Sequence, residues 1–251
     1  MLVKINKNKK ERKKRNMKKS ISFLGATLLA STTFLGAGSA FAQTSVDETT
    51  PNPSQAQTPI TAVLEINQTP EKSEVPKGEE GGGDKPTDIA GVYGIAYVPN
   101  TLSGRATLNE SGEQQVDLAN NSATKYNVGV QDKTRKNDQQ WTLKAQLSWT
   151  GDTNGYMKGT KITATGGNVK ENKAGILSDL SEGQVTTTAS TLTIEQNSEV
   201  EVMKAATGKT MNGVYNYQFT SPKLVIPEVS TVAAGTYNGN INWNLENTPT
   251  V

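Results

Sequence analysis

Trp141-Thr142-Leu143 and Trp243-Asn244-Leu245 share one form, an indole and a leucine two residues apart. On a strand, that spacing projects both side chains from the same face. Two chemistries fit. An indole can bury a large apolar area while its N–H meets an acceptor, or it can offer a flat face on which the C–H groups of a sugar ring stack. Leu147 and Ile241 continue the apolar face beyond each motif, which favours a place in the core. Asn240, Asn242 and Asn244 fall on the opposite face of the last run. A row of amides there can hydrogen-bond sugar hydroxyls and peptide stems, or it can simply face water. Tyr237, just upstream, adds an aromatic face to the same stretch.

Little else in the chain is equipped for chemistry. Cys and His are both absent, which removes disulfides, thiol nucleophiles, Cys-bound zinc, the commonest general base and the commonest metal ligand. Carboxylates are plentiful, but no nucleophile motif singles out a hydrolytic pair. Such a pair would stand roughly 5 or 6.5–9.5 Å apart, a separation no sequence spacing specifies. Asp152-Thr153-Asn154-Gly155-Tyr156 resembles the start of an oxygen-rich calcium loop. It lacks the third acid and the closing Glu, so it reads as a plain turn. Gly166-Gly167 and Gly81–Gly83 lack the Lys and the strand–helix context of a phosphate loop, and read as turn and linker. The expectation is a non-enzymatic protein with no catalytic residue, metal or cofactor.

The elements that must carry these residues have period two. Trp141, Leu143, Ala145, Leu147 and Trp149 alternate with Thr142, Lys144, Gln146 and Ser148, the signature of a strand buried on one face and wet on the other. Tyr93, Ile95 and Tyr97 predict a strand with one shared face, as do Tyr126, Val128 and Val130, and Tyr215, Tyr217 and Phe219. Shorter runs lie at Val116–Leu118, Lys161–Thr165, Val185–Thr188, Leu192–Ile194 and Val200–Val202, with Leu224 and Ile226 following Pro222. The last strand places Tyr237, Ile241, Trp243 and Leu245 together. Only Met203–Met211 suggests a helical turn. Many short strands between polar turns predict an all-β fold, an antiparallel β-sandwich or related open barrel.

Charge divides the 251-residue chain. The first 42 residues hold ten of its 26 basic groups and one of its 24 acids, Glu11. A basic run from Lys4 to Lys19 precedes an apolar stretch from Ile21 to Gly38, and Ala40 and Ala42 then frame a small-residue cleavage pattern. That order predicts a secretory signal peptide over 1–42, with Met17 as a possible true start. A basic arm for nucleic acid or an anionic membrane, and a retained membrane span, are the competing readings; the stretch is short for a span and rich in Ser, Thr and Gly. Neither nucleic acid nor a transmembrane segment is expected of the mature chain, which carries 16 basic and 23 acidic residues, a net −7. An exported chain without Cys suggests a bacterial exterior, since secreted eukaryotic domains more often carry disulfides.

Residues 43–86 hold six of the ten prolines, and no aromatic residue occurs between Gln43 and Val92. Such a composition buries too little apolar surface to offset ordering. The reading is a disordered linker over 43–59, then a β domain over 60–251 that includes a flexible acidic loop at about 70–88. Thr61-Ala-Val-Leu-Glu-Ile66 interrupts this stretch as a short strand that could pair with the domain.

With two Trp-x-Leu motifs, the second close to the end, the chain resembles the WxL-domain surface proteins of low-GC Gram-positive bacteria. The flanks agree. Val130-Gln-Asp132-Lys-Thr-Arg135 is similar to the family's approach to its first motif, Gly213–Phe219 with Leu224–Pro227 to its penultimate strands, and Gly235–Leu245 with Pro249 to its terminal strand. The resemblance spans about residues 60–251. Gln140 stands where the family often has Gly, and Arg135 comes one residue later than in the tightest Asp-x-Arg form. The resemblance implies non-covalent attachment to peptidoglycan in the cell wall. It also implies partnership with a membrane-anchored WxL-interacting protein and other surface proteins. A host-directed adhesin, or a protein-binding subunit of a surface complex, is the alternative. No LPxTG-type signal, hydrophobic tail or lipobox Cys is visible in the sequence, so attachment by binding is the expectation.

Overall fold

A computed structural model describes residues 51–247 except 52, 121, 122, 188 and 189. Two compact units divide between Ile60 and Thr61. The described residues of the first carry no helix or strand, and the segment expected to be a signal peptide lies outside the described residues.

The second unit is nearly all β. Its strands are β1 (Asp84–Pro86), β2 (Tyr93–Pro99), β3 (Gln114–Asp117), β4 (Lys125–Asp132), β5 (Trp141–Thr150), β6 (Lys161–Lys173), β7 (Ile176–Ser178), β8 (Val185–Thr186), β9 (Thr191–Ile194), β10 (Val200–Ala205), β11 (Gly213–Ile226) and β12 (Asn238–Asn247). Eight form one antiparallel sheet ordered β1-β2-β4-β11-β6-β7, with β3 added to β11 and β9 to β6; the other four form a second, β12-β5-β10-β8. The facing sides enclose a core drawn from both sheets, with Val128 and Val130 of β4, Trp141, Leu143 and Ala145 of β5, and Tyr215, Tyr217 and Phe219 of β11. This is the open antiparallel sandwich that the period-two pattern predicts. Among the described residues no helix is long and apolar enough to cross a membrane.

Several local expectations are corrected. Leu224 and Ile226 do not form a separate strand: Gly213–Ile226 runs as one, and a register shift between Thr220 and Lys223 absorbs Pro222, beside Ser221 at a φ of 49°. A proline survives there because the bulge leaves its missing N–H out of the ladder. Gly166-Gly167 is not a turn but lies inside β6, at another register shift opposite Gln218/Phe219. A Cβ on Gly166 would meet the Tyr217 hydroxyl at 2.7 Å, so the close approach requires glycine. Met203–Ala205 completes β10, and no helical turn forms after it. Tyr97 leaves the face it was expected to share with Tyr93 and Ile95. A bulge between Ile95 and Tyr97 turns its ring to the outer side of the large sheet, over Gly129, where a Cβ would strike the ring at 2.2 Å.

The acidic stretch at about 70–88 has a defined course on the domain. It crosses the outer face of the large sheet as a strap, with a short 3-10 turn (Gly78–Glu80) and β1. The contacts are mostly polar, with Val75 packed against Ala96, Tyr97 and Val214. Asp84 accepts the Asn127 backbone N–H at 2.6 Å and its side-chain amide at 2.8 Å, while Glu80 pairs with Lys125 at 2.7 Å and accepts the Gln218 amide at 2.7 Å. Beneath the strap the Tyr97 hydroxyl donates to Asn216 Oδ1 at 2.9 Å and accepts from Asn172 Nδ2 at 2.9 Å. Buried amides need partners, and the strap supplies them. Thr61–Ile66, by contrast, forms no strand: Val63 and Leu64 are 83% and 92% exposed.

Candidate functional site

The two Trp-x-Leu motifs lie on neighbouring strands. β12 pairs antiparallel with β5 over its whole length, placing Leu245 opposite Leu143 and Trp243 opposite Ala145. Large faces small at the second pair, and two leucines meet at the first, so the motif residues fill complementary volumes across the ladder. Their burial differs. Trp141 and Leu143 are wholly enclosed, whereas Trp243 and Leu245 are half-buried at the sheet edge and lean on the same core. Trp141 therefore has no surface to offer a ligand, and Trp243 has a flank.

Trp141 is also held by its N–H. Nε1 donates to Thr210 Oγ1 at 3.1 Å, and that hydroxyl donates to Asp132 Oδ2 at 2.8 Å. The other carboxylate oxygen accepts the Thr134 hydroxyl at 2.7 Å and its backbone N–H at 3.2 Å. Asp132, at the end of β4, thus ties the large sheet to the first motif through one threonine. Its carboxylate is fully buried. Arg135, its neighbour in the approach to the motif, is exposed at a φ of 58° and donates its backbone N–H to Met211 O at 2.8 Å. Among the described residues it forms no ion pair, so Asp132 and Arg135 do not act together. Tyr93, in the same corner, has its hydroxyl pushed up to about 12 by burial and by the charge of Asp132.

The opposite face of this strand pair is polar and open. Register sets Asn240 beside Ser148, Asn242 beside Gln146 and Asn244 beside Lys144. Asn242 donates to Ser148 Oγ at 2.9 Å, and Asn244 donates to Glu199 Oε1 at 3.0 Å. Lys144 pairs with Glu246 at 2.6 Å, and the bond from Glu246 holds the ammonium pKa above its usual value. The result is two adjacent rows of amides and hydroxyls whose charges are paired off at one end. At the other end, where Asn238 meets Thr150, Tyr156 and Tyr237 make an edge-to-face pair with centroids 6.3 Å apart. Tyr237 lies just before β12, and its hydroxyl donates to Ala233 O at 2.6 Å. The structure therefore brings Asn240, Asn242, Asn244 and Tyr237 to one strand and its approach, with the indoles of Trp141 and Trp243 on the inner side.

The chain fits the model of the WxL domain surface cell wall-binding family over residues 39–249. The chain belongs to that family. No curated protein and no solved structure matches it. As a WxL domain it is a cell-surface, cell-wall-binding module, and the motif that gives the family its name pairs with itself here, strand to strand.

Sequence reasoning missed two features of this domain. Nothing marks Thr210 as the bridge between Asp132 and Trp141, because the bond joins residues 69 and 78 positions apart. Ser148 and Gln146 acquire meaning only once β12 is laid beside β5. Asp152, the one acid with a calcium-like context, spends both carboxylate oxygens on the backbone N–H groups of Tyr156 and Met157, at 2.9 and 2.8 Å. It builds the turn that presents Tyr156.

Proposed function

We propose that this WxL domain is a non-enzymatic wall-attachment protein, exported by its N-terminal signal, that holds peptidoglycan non-covalently through the outer face of β5 and β12. The observation that carries the reading is the double row of Asn240/Ser148, Asn242/Gln146 and Asn244/Lys144, with the Tyr156–Tyr237 pair at its end. Amides and hydroxyls on a flat strand pair suit glycan hydroxyls, N-acetyl groups and the peptide bonds of the stems, all of which are neutral donors or acceptors. A tyrosine face suits a sugar ring. The structural use of Asp84, Asp132 and Asp152 supports a binding role over a hydrolytic one, since each of these carboxylates is committed to hydrogen bonds within the fold. The indoles build and hold the platform from behind.

A second reading has its own observation. The outer edge of β12, which among the described residues pairs with β5 alone, favours a protein partner, such as a membrane-anchored WxL-interacting protein, another surface protein or a host protein, bound by strand addition. Protein-free peptidoglycan separates the two. If residues 43–251 co-sediment with it, the wall itself is the ligand; if they stay in solution and bind only when other surface proteins are restored, the domain is a protein-binding subunit.

A further inference from the structure

Two features of this fold are left incomplete, and they match one another. The first is Thr61–Ile66, an apolar run with β-branched residues that no strand receives; Leu64 is 92% exposed. Segments with this much β-propensity and a single charge, Glu65, ordinarily end up inside a sheet. The second is the outer edge of β12. Among the described residues β12 pairs with β5 alone, and its ten-residue register runs without a bulge. It also has no proline and no lysine, and its single charge, Glu246, is paired with Lys144, so few of the devices that normally block an exposed edge are present. Its core-facing Ile241, Trp243 and Leu245 are covered on one flank only and remain half-buried.

We propose that Thr61–Ile66 of a second copy adds as a strand to the free edge of β12. Alternation makes the fit. Ala62, Leu64 and Ile66 would extend the apolar inner face past Ile241, Trp243 and Leu245, while Thr61, Val63 and Glu65 would lie on the outer face beside the asparagines. The unpaired backbone groups of both segments are satisfied in the same step. The occupant is a second copy because the chain's own segment is tethered elsewhere. Glu71 O accepts from Lys133 Nζ at 3.1 Å, Ser73 donates to Gln131 at 2.6 Å and Glu74 O accepts from Asn172 at 2.7 Å, all on the large sheet. Only four residues, Asn67–Pro70, separate the segment from that anchorage, and the Thr69 N–H bonded to Asn67 Oδ1 at 3.0 Å folds them. The five extended steps from Ile66 to Glu71 reach roughly 18 Å at most, and a turn shortens this. Face-to-face sheets alone stand about 10 Å apart, and the strap lies outside one while β12 borders the other. Reciprocal exchange closes a dimer; one-way exchange builds a chain. The contact lies in the plane of the small sheet, and the glycan-facing side chains stand out of it, so the two roles do not depend on each other.

Sedimentation velocity on residues 43–251 over a range of concentrations tests the proposal. Mass should rise above the monomer's with concentration, and Leu64→Lys, at a position with no packing to lose, should weaken association at least tenfold. The absence of cysteine permits a direct check. Val63→Cys protein mixed with Asn240→Cys, Asn242→Cys or Asn244→Cys protein should cross-link between chains under oxidation in at least one pairing. A protein that remains monomeric throughout overturns the proposal. So does a dilute double variant that closes the same disulfide within one chain, or association that Leu64→Lys leaves untouched.

Discussion

Removing the Trp141 side chain would empty a fully enclosed site and take from the Thr210 hydroxyl the N–H it accepts. Trp141→Ala should therefore cost about 3–5 kcal/mol of stability. Trp243, opposite Ala145 and half-buried, has less to lose, and Trp243→Ala should cost about 1–2 kcal/mol. Urea midpoints of the two variants check the ordering; equal losses would mean that the motif residues are equivalent after all. Thr210→Val keeps the shape but removes the acceptor of the indole N–H and the donor to Asp132 Oδ2, leaving two buried atoms unpaired while Asp132 Oδ1 keeps Thr134. A loss of about 1–3 kcal/mol is expected, again from denaturant midpoints. Asp84 offers a test in pH. Burial raises its carboxyl from 3.8 to about 6, against the two hydrogen bonds from Asn127 that act to lower it. The folded chain then holds a proton more tightly than the unfolded chain, so between about pH 4 and 6 this group makes stability fall as pH rises. Glu80 acts in the opposite sense: its bonds to Lys125 and Gln218 lower its carboxyl, and that contribution disappears as pH falls below its usual range. Carbon-detected NMR of the carboxyl groups should place the Asp84 midpoint near 6, and a midpoint below 4 would contradict the buried strap.

At the level of elements, β5 and β12 were legible because nothing interrupts their alternation. Nine residues of period two in one and seven in the other need no tertiary information to be read as one-sided strands. Tyr97 was misplaced because a bulge changes parity without leaving a mark in the sequence, except through Gly129, whose missing side chain makes room for the ring. Pro222 and Gly166-Gly167 misled for a related reason. Each is a break in an isolated strand, but in long strands such as β6 and β11 a register shift can accommodate it. The strap escaped because its ordering comes from carboxylates and amides meeting across 40 to 140 residues, and composition registers only its lack of apolar groups. Of the candidate site, the asparagine row could be read directly. Its neighbours on β5 could not, since the pairing of the last strand with the fifth is a fact of topology. The strap gives an element-scale expectation. Asn127→Ala removes the side-chain donor to Asp84, though not the backbone one, and the amide that meets Asn216, so amide exchange along residues 71–86 should speed up at least tenfold while β5 and β12 keep their protection.

Over the whole molecule, charge and function are separated. The basic groups concentrate in the first 42 residues, and the remainder carries a net −7. If the first 42 residues are removed on export, as we propose, a wall rich in anionic polymers repels the protein at a range of about 8–10 Å at moderate salt. If short-range contacts on the β5–β12 face provide the attachment, added salt screens the repulsion and leaves the contacts in place. Binding to walls should thus hold or improve as salt rises, and strengthen as carboxylates protonate. A steep loss with salt would point to a basic patch instead.

Co-sedimentation of residues 43–251 with protein-free peptidoglycan, beside an Asn240→Ala/Asn242→Ala/Asn244→Ala variant that melts like the parent, tests the central claim most directly. The parent should pellet with the wall. The variant should bind at least tenfold more weakly, since three amides worth roughly 0.5–1.5 kcal/mol each are lost. A parent that stays in solution, or a variant that pellets equally well, would contradict the assignment of wall binding to this face.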